Sequence, residues 1–527
     1  MKDKLNKLIK ECGLGEIIGD ITPVSGGLMH KMYRVDTTTG TYAVKCLNPE
    51  IMKRPGVMDN YARAERFECI LEENGLPIVP ALSFAGRKML ETGGQYCYIF
   101  KWQEGSITDF NDIKKEQCRQ AGELLGRIHA IDSQNVEPSE PELSNIDFKA
   151  YLKVARDKES SVTSVLADNL ELLETAQIKL NEARRNLPAM RAISNDDMDP
   201  KNIMWHEGKA YAIDLECLDY GNPISSCLDL SLQWSGTVTG HFSRENLEAF
   251  FGGYLKAYDN GFRSYDELFG IAYTWVEWLE YNIKRALGLE SADKEEIRLG
   301  EEETKNTIGR IKYLASIEDE ICAVLKSLPA PDPTKYNTHD DSLCYIDLVF
   351  EGGLDVIPQY ELPQGYRFVS YKPGDKSAWI DIELSAKEVL SREHGEECWQ
   401  RYYGNAESEL NQRMIFIEDE SGTKAATATA FYDIHKPVEP GEGQLHWVAV
   451  KNEFQGKNLS KPLITYTLAV MKQLGYTHVK IHTQTNTWLA CKIYYDLGFR
   501  PEPDSLLRNK AGWKMVELLT GRNMITQ

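Results

Sequence analysis

The stretch ISNDDMDPKNIMW, residues 193–205, sets three aspartates, a proline and Asn202 between apolar flanks. Asp, Asn and Pro favour tight turns, through side-chain bonds to the backbone and a fixed φ, so taken alone the run reads as a turn. A second run follows in YAIDLECLDYGNP, 211–223, where Asp214 and Glu216 come directly after Ala212 and Ile213, as at the end of a buried strand. The segments NIMW and KAYAID flank His206-Glu207-Gly208, which reads as a hairpin turn. Such a hairpin brings Asp197, Asn202 and Asp214 together. Two oxygen ligands beside a carboxylate that can take a proton are what metal-assisted phosphoryl transfer requires: hard oxygens for Mg2+, and a base for the attacking hydroxyl.

Composition narrows the classes. At 527 residues the chain is long for one core and predicts two or three domains. A formal charge of -20 argues against a nucleic-acid partner, since phosphate backbones demand clustered Lys and Arg. It suits cationic substrates, though acidic soluble proteins are common. The opening residues MKDKLNKLIKECGLGEIIGD are charged throughout and hold no apolar core of signal-peptide length. No apolar run reaches the roughly eighteen residues of a membrane span. The 11 cysteines are scattered and form no CxxC pair, which predicts free thiols in a reducing cytoplasm and no zinc site.

The clearest punctuation is SLPAPDPTKYNTHDDS, 327–342, where Pro329, Pro331 and Pro333 precede a polar run. The expected organisation is one domain over 1–327, a linker over 328–342 and a second domain over 343–527. In the first, MYRVDTTTGTYAVKCL (32–47) reads as a hairpin and YARAERFECILEENG (61–75) as a helix ending at Gly75. PIVPALSF and QYCYIFKW read as further strands, and the chain from about 105 to 327 as mostly helical.

Lys45 places a charge in an otherwise apolar strand. One reading is an edge lysine reaching to water. The other is an ammonium aimed at nucleotide phosphates, held by a helix carboxylate such as Glu65, with the flexible Ser-Gly-Gly turn of VSGGLMHKMY (24–33) lying over the phosphates. The order of glycine turn, strand lysine, helix glutamate, FKWQEG, DxxxxN and IDLE resembles the aminoglycoside phosphotransferase and choline kinase-like families of the protein-kinase-like fold. Their core reads HxDxxxxN followed by IDxE. Here it is Asn195-Asp196-Asp197-Met198-Asp199-Pro200-Lys201-Asn202, then Ile213-Asp214-Leu215-Glu216. The resemblance implies Asp197 as the catalytic carboxylate, Asn202 and Asp214 as Mg2+ ligands, and Lys45 on the phosphates of ATP with Glu65 or Glu68 as its partner. It places adenine against the backbone of Phe100 to Trp102. Asn195 departs from the family's histidine, and Asp199 adds a charge near the metal.

Beyond the linker, GQLHWVAVKNEFQGKNLSKPLITYTLAVMKQLGY (443–476) reads as strand, turn and amphipathic helix, and HVKIHTQTNTWLACKIYYDLGF (478–499) as strand, helix and Gly-Phe exit. The turn presents backbone N–H groups and Lys457 at a helix N-terminus, which is either an anion site or a simple capped junction. The pair resembles the GNAT acetyltransferase superfamily, whose pyrophosphate loop Q/R-x-x-G-x-G/A corresponds to Gln455-Gly456-Lys457-Asn458-Leu459-Ser460. Asn458 and Ser460 replace small residues there. The resemblance implies pantetheine on the backbone of Val448 to Val450, acetyl-CoA contacts extending to Asn486, and Tyr494 as the proton donor to the departing thiolate. His446 and His482 are candidate bases or structural histidines.

The resulting expectation is an α+β chain: a bilobal kinase-like fold, with a β-rich small lobe and a helical large lobe, then an α/β acetyltransferase fold. Its cofactors would be ATP, Mg2+ and acetyl-CoA, and its substrate a small hydroxylated amine, without nucleic-acid or membrane partners. The competing expectation is a regulatory protein that senses ATP or acetyl-CoA without turnover.

Overall fold

The computed structural model describes residues 2–24, 30–290, 292–435 and 440–525, so the Ser-Gly-Gly turn at 25–27 lies outside the described residues. The chain divides into two compact units, 1–259 with 264–328 and 260–263 with 329–527.

The first unit opens with a five-stranded antiparallel sheet in the order Thr22–Val24, Lys31–Thr37, Gly40–Cys46, Gln95–Lys101, Leu90–Thr92. Val35, Val44, Cys97 and Ile99 bury one face of it against Leu5, Leu8 and Ile9 of the Lys2–Glu11 helix. The Val57–Glu73 helix buries Tyr61, Ala64, Phe67, Glu68 and Leu71 at helical spacing. Past its end Gly75 turns to φ +65°, a left-handed conformation open to glycine. The expected strand PIVPALSF does not form. It makes only isolated bridges, Ile78 to Ala212, Ala81 to Phe100 and Phe84 to Arg87, because Pro77 and Pro80 lack ladder donors.

The large lobe is helical. Lys115–His129 lies so close to Arg244–Ala257 that a Cβ on Gly122 would meet the carbonyl oxygen of Phe250 at 2.1 Å, and one on Gly253 that of Arg119 at 2.0 Å. Between these helices and the small lobe, Met190–Asn195 pairs with Leu218–Gly221. Ile203–His206 and Lys209–Ala212 form the expected hairpin, with His206 opposite Lys209. Its turn residues Glu207 and Gly208 sit at φ +48° and +75°, the primed geometry that matches strand twist.

The second unit is a seven-stranded sheet in the order Tyr366–Ser370, Met414–Asp419, Lys424–Phe431, Glu442–Val450, His478–Gln484, Asp347–Gly353, Arg500–Pro501. All neighbours are antiparallel except Glu442–Val450 with His478–Gln484. The stretch read as a linker is partly ordered onto this unit. Thr338 Oγ1 donates to Gln455 Oε1 at 2.7 Å, and the Asp340 N–H donates to the Asn486 carbonyl at 3.0 Å. No helix among the described residues is long and apolar enough to cross a membrane.

Candidate active sites

Lys45 stands near the end of the Gly40–Cys46 strand with its side chain 5% exposed. Burial works against its charge, but Glu216 and Asp214 outweigh burial and raise its pKa. Nζ lies 2.8 Å from Asp214 Oδ1 and 2.9 Å from Glu216 Oε1. Glu216 is partly buried, yet His30 and Lys45 hold its carboxyl below the usual value. His30 Nδ1 accepts the Asn48 N–H at 3.0 Å, so its other nitrogen carries the proton and faces Glu216 Oε2 at 3.4 Å. Asp214 occupies the left-handed region at φ +57°, a strain of about 1–3 kcal/mol for a residue with a Cβ.

Around the first aspartate run, Asn202 Nδ2 donates to the Asp197 carbonyl at 2.7 Å, and the Ile213 N–H donates to the Asn202 carbonyl at 2.9 Å. The hairpin thus ties all three elements of the motif together. Lys201 Nζ lies 2.8 Å from Asp199 Oδ2 and 3.5 Å from Asp197 Oδ1. Burial raises the Asp197 pKa, Lys201 opposes, and Asp199 and Asp214 add to the rise, which makes it a more basic carboxylate than usual. Asp196 accepts the hydroxyls of Ser194 and Ser226 at 2.8 and 2.6 Å. Burial, with Asp196 and Asp199 nearby, lifts Asp229 to about 7.

In the second unit the two parallel strands pair only from Glu442 opposite His478 to Gln444 opposite Lys480. Beyond that point they part, leaving the backbone of Val448 and Val450 free of a ladder on that side. Across the other edge, His446 faces Thr429 and Ala449 faces Thr427, so Trp447 and Val448 bulge against Ala428, with Trp447 at φ +49°. The loop after the strand turns through Gly456 at φ +75° and Asn458 at +60°, a conformation asparagine tolerates. The Ser460–Gln473 helix then begins without a side-chain cap, so its first N–H groups can meet an anion. Gln455 Nε2 donates to the Val450 carbonyl at 3.2 Å, and Lys457 Nζ sits 4.5 Å above the Phe454 ring. Tyr494 is 4% exposed and packs edge-on to Phe350. Burial, with Cys491 and Glu388 adding, pushes its phenol well up, so it keeps its proton. Tyr495 turns elsewhere, donating to the Asn523 carbonyl at 3.0 Å. Burial drops His446 to about 3, and its Nδ1 lies 3.2 Å from the Tyr403 hydroxyl. His482 is exposed.

Residues 20–268 match the phosphotransferase enzyme family, and residues 378–499 match the acetyltransferase (GNAT) family. The chain is a phosphotransferase domain followed by a GNAT domain. It is thereby a phosphotransferase with a hydroxyl acceptor and an N-acetyltransferase by class, of α+β fold with a kinase-like first domain. Similar solved structures include a spectinomycin phosphotransferase in complex with ADP and spectinomycin, at 13% identity over 62% of this chain and 98% of that one, TM-score 0.41. An aminoglycoside phosphotransferase from Alicyclobacillus acidocaldarius aligns at 12% identity over 59% and 92%, TM-score 0.39. A choline kinase from Cryptosporidium parvum aligns at 11% identity over 62% and 99%, TM-score 0.39. Comparison with curated proteins gives no match.

One expected contact in the phosphotransferase domain is corrected. Lys45 does not pair with Glu65, which accepts instead from the Tyr98 hydroxyl at 2.8 Å. Glu68 is not the partner either: it is buried with Lys88 and takes the Ala81 N–H. The left-handed turn at Asp214 brings two nearer carboxylates to the lysine. Trp102, in the segment expected to face adenine, gives its backbone N–H to the Thr41 carbonyl at 3.0 Å. Among the described residues, no three or more His, Cys, Asp or Glu gather as a metal site. The Asp214 carboxylate and the Asn202 amide oxygen are hard donors that fit Mg2+, which typically completes its shell with water and substrate phosphates. His30 and Lys201 were missed in sequence. His30 carries no motif, and Lys201 fills an unspecified position of DxxxxN.

Proposed function

We propose that the chain phosphorylates a hydroxyl with ATP and acetylates an amine with acetyl-CoA, on small hydroxylated amines. The observation that carries the phosphotransfer reading is the buried Lys45 between Asp214 and Glu216, on the same hairpin scaffold as Asp197 and Asn202. Asp197, more basic than an ordinary carboxylate, takes the proton of the attacking hydroxyl. Lys45 meets the phosphates. Mg2+ held by Asn202 and Asp214 supplies charge neutralisation at the phosphoryl group. Asp199 and Asp214 lie close enough to raise the Asp197 pKa against the opposing Lys201, and carboxylates on this side of the site favour a cationic acceptor.

In the GNAT domain the pantetheine arm lies along Val448 to Val450 between the parted strands. The loop Gln455, Gly456, Lys457, Asn458 and Ser460 receives the pyrophosphate, Asn486 adds a side-chain contact, and Tyr494 protonates the leaving thiolate. The cysteines Cys12, Cys46, Cys69, Cys97, Cys118, Cys217, Cys227, Cys322, Cys344, Cys398 and Cys491 are all free, which suits a reducing cytoplasm.

The test is mass spectrometry of an aminoglycoside and amino-alcohol panel incubated with ATP-Mg and with acetyl-CoA, separately and together. Gains of one phosphate and one acetyl group are expected. Nucleotide and acetyl-CoA binding without either product would refute the proposal and favour a sensor.

A further inference from the structure

The strap 337–342 lies ahead of the stretch 378–499 that matches the GNAT family. Its own carboxylate folds it. Asp340 accepts the N–H of Asn337 at 3.0 Å and that of Ser342 at 2.9 Å, the side-chain-to-backbone turn that aspartate favours. From this turn the strap reaches two different elements. Thr338 Oγ1 donates to Gln455 Oε1 at 2.7 Å, while Gln455 Nε2 donates to the Val450 carbonyl at 3.2 Å and to Asn452 Oδ1 at 3.1 Å. The Asp340 N–H donates to the Asn486 carbonyl at 3.0 Å, and the Asn486 carboxamide lies 3.4 Å from His339 Nε2.

Gln455 follows the Glu442–Val450 strand and Asn486 follows the His478–Gln484 strand, the parallel pair whose ladder ends at Gln444 and Lys480. Past that ladder the strap is bonded to both. Strands that have left their ladder share no backbone bonds to set their separation, so a short clasp across their ends fixes it.

His339 makes the clasp firm. Its side chain is 13% exposed, with Nε2 3.0 Å from Asp341 Oδ1 and Nδ1 3.6 Å from Glu388 Oε1, just past the Lys376–Ser385 helix. Glu388 first, against burial, and then Asp341 raise its pKa and favour the imidazolium. The Nε2–H that faces Asp341 cannot also meet an NH2 group, so the Asn486 amide places its oxygen there. That gives a partner to an oxygen otherwise buried without one among the described residues, and it leaves the NH2 for a ligand.

We propose that this strap is part of the acetyl-CoA site: a clasp that holds the two parted strands at the separation the cofactor needs, with Thr338 and His339 as positioning residues acting through Gln455 and Asn486. This rests on the acetyl-CoA reading above and adds a part of the site that lies outside the GNAT match.

The test is calorimetric titration of the full chain with acetyl-CoA, and with Mg-ATP as control, for wild type, Thr338→Val, Thr338→Ser and His339→Ala. Thr338→Val keeps the shape and removes the hydroxyl, and should raise the acetyl-CoA Kd about five- to tenfold. Thr338→Ser, which restores the hydroxyl, should recover most of that loss. His339→Ala should raise the Kd about tenfold or more, and Mg-ATP affinity should stay within twofold throughout. If His339→Ala proves unfolded, the Thr338 pair decides. An acetyl-CoA Kd within twofold of wild type in Thr338→Val would overturn the proposal and leave the strap a mere link. Tighter binding would also overturn it, since the strap would then be closing the site. A wild type that binds no acetyl-CoA would instead overturn the acetyl-CoA reading itself.

Discussion

Replacing Lys45 with Met keeps the length of the side chain and removes the charge that two carboxylates share. Breaking a buried ion pair by deleting one partner costs about 3–5 kcal/mol, because the other charge is stranded. Two features reduce that here. The Asp214 side chain is 39% exposed, so water screens it, and Glu216 keeps His30 at 3.4 Å. A loss of about 2–3 kcal/mol is therefore expected, or about 3–4 °C in the transition of a phosphotransferase unit of this size. Calorimetry identifies that transition as the one Mg-ADP raises. Millimolar MgCl2 should restore more of the loss in Lys45→Met than it adds to wild type, since the cation replaces the missing counter-charge at Asp214. Glu65→Gln, which keeps an acceptor oxygen for the Tyr98 hydroxyl, should shift the same transition by no more than about 1 °C. A Lys45→Met transition within 2 °C of wild type, or a Glu65→Gln loss equal to it, would refute the charge arrangement described above.

Asp197→Asn should cut phosphotransfer by about 10²–10⁴-fold while leaving nucleotide affinity near wild type, whereas Asp214→Ala should weaken Mg-ATP binding; titration beside product assay separates the two. Asp229 has a folded-state pKa raised to about 7, so the unfolded chain releases this proton first as pH rises. Stability should then fall between about pH 4 and pH 7 and level off above. Urea midpoints at pH 5 and pH 8 should differ less in Asp229→Asn than in wild type. Tyr494→Phe should slow acetyl transfer at least about tenfold with acetyl-CoA binding unchanged, and Tyr495→Phe should not. Limited proteolysis between the two units should cut within 329–337 before 338–342, where Thr338 and Asp340 are hydrogen-bonded to Gln455 and Asn486.

Much of the fold was legible because its signals are local. The Glu207-Gly208 turn needs two positive φ values, and a Glu-Gly pair between short apolar runs announces a hairpin. The helix ending near Gly75 and the Gly-Phe exit after Tyr494 are read the same way, from residue type at a fixed offset. The expected strand at 77–84 failed because apolar content was weighed above the two prolines that deny it a ladder. Within the stretch read as a linker, Thr338 and Asp340 bond to Gln455 and Asn486, a feature hidden in sequence because Thr, His and Asp suit an exposed tether and an ordered strap equally well.

The sites divide along the same line. The identities of Lys45, Asp197, Asn202 and Asp214 could be read from spacing, but the contact between Lys45 and Asp214 spans 169 residues, and no pattern in sequence reports which carboxylate arrives. Choosing Glu65 assumed that the helix glutamate faces the lysine. The strained backbone at Asp214 instead turns its own side chain, and that of Glu216 with it, toward the ammonium.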